Sequence, residues 1–156
     1  MVATSNALAG NGMRAVLLAM TLVFSGACDQ EPTTPSSQRV DVTGTWRGTI
    51  TVNNTPALMT WTLTDTEGSI RGPVLIGLPT GSVLLNGVLA GTLTGTALAY
   101  TVSVPPGGVL SQPACSGQIA GTTTLVGVAT MNGTYTVAAS TCPTGLTNGT
   151  FSLAKQ

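Results

Sequence analysis

From Thr45 onward, apolar and polar residues alternate with a period of two. In Thr45–Val52, Trp46, Ile50 and Val52 share one face while Thr45, Arg47, Thr49 and Thr51 share the other. Met59, Trp61 and Leu63 alternate with threonines, and Ile70, Val74, Ile76 and Leu78 alternate with Arg71 and Gly77. The same pattern returns in Leu98, Tyr100, Val102 and Val104, then in Met131, Tyr135 and Val137, and last in Phe151 and Leu153. Such alternation marks strands buried on one side, and threonine suits the solvated side of a pleated surface. Turn sequences separate the runs: Asn53–Pro56, Asp65–Gly68, Pro79–Gly81 and Pro105–Gly108. Asn86-Gly87 is either a hairpin turn or a small-residue kink within a longer strand. No stretch after residue 28 has a capped helical period. The expectation is an all-β fold, an antiparallel up-and-down β-barrel of about eight strands over residues 42–156.

The segment before the strands is of another kind. Arg14 is the one charge ahead of Cys28, and the apolar run Ala15–Phe24 is too short to span a bilayer permanently. Small residues Ser25-Gly26-Ala27 follow, which completes the plan of a signal peptide over residues 1–27. Translation begins at Met1 or at Met13. Phe24-Ser25-Gly26-Ala27-Cys28 resembles a bacterial lipobox, departing from it at Ser25, where a large aliphatic residue is usual. The resemblance implies that Cys28 is lipidated and becomes the mature N-terminus, anchoring an exported protein to a membrane of the bacterial cell envelope. Cleavage after Ala27 with release of an unanchored protein is the other reading. Residues 28–41, rich in Pro, Ser and Thr, read as a flexible tether. With Cys28 modified, Cys115 and Cys142 remain, and an even remainder in an exported chain predicts a disulfide.

Charge narrows the chemistry. Only 6% of the 156 residues are charged, the net charge is zero and histidine is missing. An imidazole base, a Ser-His-Asp triad and a histidine-ligated metal are therefore excluded. A neutral chain also lacks the basic footprint of a nucleic-acid binder. Asp65 and Glu67 stand two apart in a turn sequence and read as solvated turn residues; Arg47 and Arg71 lie on polar strand faces, where edge protection or solubility explains them. We expect a non-enzymatic protein without a cofactor.

Glycine followed by threonine recurs at Gly44, Gly48, Gly91, Gly133 and Gly149, a pattern suited to bending a sheet that closes on itself. Thr43-Gly44-Thr45-Trp46 resembles the Gly-x-Trp opening of the calycins, the lipocalin and avidin-like barrels, and Gly95–Val102 has an avidin-like look. The resemblance implies an up-and-down barrel with Trp46 packed at its closed end. It does not extend to biotin binding, which needs several tryptophans where this chain has two. Two roles follow for an exported barrel. Its interior could bind a small apolar ligand, with Trp61, Tyr100 and Tyr135 as lining residues. Alternatively, a filled barrel could serve as a surface or envelope protein-interaction module, with the Pro105–Pro113 loop as the first contact. A small membrane-embedded barrel is a third reading, but six aromatic residues cannot supply the girdles it needs.

Overall fold

The computed structural model describes residues 39–52, 55–142 and 147–156. The signal peptide, Cys28 and most of the tether lie outside the described residues, as does the Asn53-Asn54 turn sequence. Eight strands form the fold: β1 (Gly44–Val52), β2 (Thr55–Thr66), β3 (Ser69–Gly77), β4 (Val83–Thr94), β5 (Ala97–Val104), β6 (Gly117–Val126), β7 (Thr130–Ser140) and β8 (Gly149–Lys155). Each pairs antiparallel with its neighbours in sequence, and β1 pairs with β8 through Trp46–Thr49 and Ser152–Lys155. The result is the closed, up-and-down barrel that the alternation predicts. Closure leaves no sheet edge, so Arg47 and Arg71, both exposed on the outward face, guard none.

Asn86-Gly87 resolves as the interior of β4, with Val74 of β3 opposite Gly87. A side chain at Gly87 would strike Val102 Cγ1 at 2.6 Å, so the position marks close packing rather than a turn. Register shifts at Ile76/Gly77 and at Gln118/Ile119 fall near one end of the barrel, where they locally bend the strands.

The two ends differ. At one end Trp46, Leu63, Ile70, Leu98, Met131 and Leu153 are buried beside Val42, which lies just ahead of β1. Trp46 Nε1 donates to the Val42 carbonyl at 2.8 Å, and the Lys155 ammonium lies 5.5 Å from the centre of the Trp46 ring. Residues 39–41, assigned to the tether by composition, are held against this end. Val40 packs on the core, Arg39 forms an ion pair with Asp65, and Lys155 Nζ donates to the Asp41 carbonyl at 3.4 Å. Hydrogen bonds from Thr43 hold the Asp41 carboxyl below the ordinary carboxylate range.

Asp65 is thereby different from its sequence reading. Its side chain is 1% exposed, and its Oδ1 also accepts from the Gly68 amide at 2.9 Å across the β2–β3 turn. Glu67 takes the exposed, left-handed position of that turn, with φ of 52°. Only one of the two carboxylates is a solvated turn residue.

Candidate functional site: the open end of the barrel

The middle of the barrel is packed with aromatic rings. Trp61 on β2 meets Tyr100 on β5 edge-on, with centroids 5.0 Å apart, and Phe151 on β8 at 5.1 Å. Tyr100 and Phe151 complete the triangle at 6.2 Å. These spacings are those of favourable edge-to-face and tilted pairs.

Tyr100, Gly121, Tyr135 and Gly149 lie side by side across β5, β6, β7 and β8. Each tyrosine crosses the glycine beside it. A Cβ on Gly121 would sit 2.6 Å from Tyr100 Oη, and one on Gly149 would sit 2.7 Å from Tyr135 Oη. The hydroxyls then reach the next strand but one: Tyr100 donates to the Thr134 carbonyl at 3.0 Å and Tyr135 to the Thr51 carbonyl at 3.3 Å. Burial raises both phenols above their ordinary pKa, and the Tyr135 hydroxyl adds to the rise at Tyr100. Gly149, which the sequence pattern assigns to a bend, and Gly121, which it does not single out, therefore serve as the small members of a small-large layer inside the barrel.

The three residues expected to line a ligand site are brought together here, around a void of about 10 Å³. That volume is close to one water molecule, too little for an organic ligand. Trp61 is 1% exposed and its Nε1 has no hydrogen-bond acceptor.

Ligand-sized space lies above this layer, at the end opposite Trp46. A cavity of about 180 Å³ opens there, with Ile76 and Ile119 bordering both it and the small void. Its apolar wall comes from the strand ends: Val52 of β1, Leu84 and Leu85 of β4, Val104 of β5 and Val137 of β7. Polar atoms come from Ser111, Gln112, Gln118 and Ser140. The alternation puts Val52, Ile76, Val104 and Val137 on inward faces, but nothing along the chain marks them as the wall of a cavity. Leu84-Leu85 breaks the period of two, so neither residue declares a face.

The Pro105–Pro113 loop, suspected from sequence as a contact, forms one side of this cavity through Val109, Ser111 and Gln112. Val109 forms a bridge with Leu85, and the Asn86 amide donates to the Gly108 carbonyl at 2.7 Å. Behind the loop, the expected Cys115–Cys142 disulfide is present, with Cα atoms 4.9 Å apart. Ser116 and Thr141 reinforce it: the Thr141 amide donates to the Ser116 carbonyl, and the Ser116 amide to Thr141 Oγ1, both at 2.9 Å. Cys142 itself borders the cavity.

No cluster of three or more His, Cys, Asp or Glu side chains able to hold a metal occurs among the described residues. No protein-family model matches the sequence, and no curated protein sequence matches it significantly.

Proposed function

We propose that this chain is an exported, lipid-anchored barrel that carries a small apolar ligand in the cavity at its open end. The observation that carries the ligand reading is the cavity itself: about 180 Å³, walled by aliphatic side chains, above a packed aromatic layer. Its size is comparable with the roughly 150 Å³ apolar cavity that, engineered into another protein, stays dry and binds benzene. The anchoring reading rests on the lipobox resemblance at Cys28 and the tether that follows, and the disulfide suits an oxidising compartment.

A second reading has its own support. Leu58, Leu75 and Val88 are exposed on the outward faces of β2, β3 and β4, and the barrel interior is largely filled. A barrel of that kind would act through its surface, on an envelope protein.

Thermal unfolding in the presence of 1-octanol separates the two. A ligand that binds only the folded barrel stabilises it by about 1.4 kcal/mol at ten times its Kd, which raises Tm by several degrees in a domain of this size. We expect that rise, and its loss in Val109→Trp, which fills the cavity. An unchanged Tm in the parent protein removes the carrier reading and leaves the surface module.

A further inference from the structure

Charge is distributed unevenly over this molecule. Between Arg71 and Lys155 the sequence contains no Asp, Glu, Lys or Arg. The seven charged side chains among the described residues all fall toward the closed end. Arg39 and Asp41 precede β1, Asp65 and Glu67 are at the β2–β3 turn, and Lys155 ends β8. Of the two arginines within strands, Arg47 stands opposite Ala154 and Arg71 opposite Thr64, both nearer that end. The cavity at the other end is bordered by no ionisable side chain, since Cys142 is held in the disulfide. The undescribed residues between β1 and β2 and between Cys142 and Thr147 include no charged residue either.

Polar groups at the cavity are neutral: Ser111 and Gln112 on the loop, Gln118 near the start of β6 and Ser140 at the end of β7. A hydroxyl or carbonyl placed among them exchanges hydrogen bonds with water for similar ones with the protein, at little net cost. A carboxylate in the same place loses hydration and finds no cation to offset the loss. Coulomb attraction from the closed end does not reach it, because those charges lie across the length of the barrel and are screened by solvent.

Resting on the carrier reading, we infer that the cavity selects by charge. It takes a neutral medium-chain amphiphile with one hydrogen-bonding head, such as an alcohol, and rejects the carboxylate of the same chain length. Selection is made by what the open end lacks, a cation, together with the neutral donors and acceptors it has.

The test is a calorimetric titration of the whole exported domain at pH 8 with 1-octanol and with sodium octanoate. Octanoate is expected to bind at least tenfold more weakly. In Gln118→Lys, a substitution at an exposed position beside the cavity, the octanoate-to-octanol affinity ratio is expected to rise at least fivefold. Equal affinities in the parent protein overturn the selectivity and leave the carrier reading standing, and so does an unmoved ratio in the lysine variant. Binding of neither probe overturns both.

Discussion

Tyr100 and Tyr135 each span three strands, and each does so across a glycine that leaves the ring its path. Both hydroxyls act as donors, so both must remain protonated. In the unfolded chain a phenol ionises near its ordinary pKa of about 10, whereas in the barrel both values are raised by burial. A folded pKa above the unfolded one gives stability that is complete below about pH 10 and declines as pH rises from there toward the folded values. The urea midpoint is accordingly expected to hold from pH 7 to 9 and to fall above about pH 10. Tyrosinate absorbance should appear together with unfolding; these are the only tyrosines, so no exposed phenol obscures the signal. Full ionisation near pH 10 with the near-ultraviolet circular dichroism intact would contradict the arrangement. At this scale the sequence was partly legible. Alternation correctly put Tyr100 and Tyr135 on inward faces, but the partner that makes room for each is on another strand, and the spacing of Gly121 or Gly149 along the chain does not reveal it. Asp65 shows the same limit. Its burial depends on Arg39, 26 positions away, which composition places in the tether.

Among the elements, the β5–β6 connection is the one most dependent on a single covalent bond. It is held to β4 by the Leu85–Val109 bridge and the Asn86–Gly108 hydrogen bond, and to the end of β7 by Cys115–Cys142. The disulfide closes a loop with a sequence separation of 27, for which chain entropy gives roughly 3–4 kcal/mol. Reduction should therefore lower the unfolding free energy by about that amount. It should also speed amide exchange at Gly107 and Cys115, whose amides donate to loop carbonyls, more than at Tyr100 in β5. Uniform acceleration throughout the barrel would show that the bond stabilises only the whole domain and not this connection. Six of the strands were readable because each carries its own period of two, whereas β4 interrupts the period at Leu84-Leu85 and at Asn86-Gly87. The cavity was not, because its wall joins strand ends far apart in sequence, from Val52 to Ser140, and the alternation that turns a residue inward does not say which end of the barrel is left unfilled.

For the whole molecule, the inward apolar face and the threonine-rich outward face are the reverse of a membrane-spanning barrel with a polar lumen. The anchor proposed above is the lipid on Cys28, not the barrel wall. Cys28→Ser should shift the protein from the membrane to the soluble fraction without altering its melting temperature, since Cys28 lies ahead of the residues that build the barrel. Persistence in the membrane fraction would show that the lipobox resemblance misled. Fold class was the most legible property of all: six runs of one period, the turn sequences between them and no helical run leave few ways to bury the apolar faces, and closure is the way that removes both edges.

Arg39 and Gln156 come to the same end of the barrel, Arg39 through Asp65 and Gln156 through the bond from its amide to the Thr45 carbonyl at 2.9 Å. The described chain therefore enters and leaves the barrel at its closed end, opposite the cavity. A surface, a tag or a fused domain attached directly behind Gln156 would hold the barrel by its base, on the side away from the cavity. An immobilised layer made through Gln156 would present its openings in one direction, which makes the barrel a ready scaffold for oriented display.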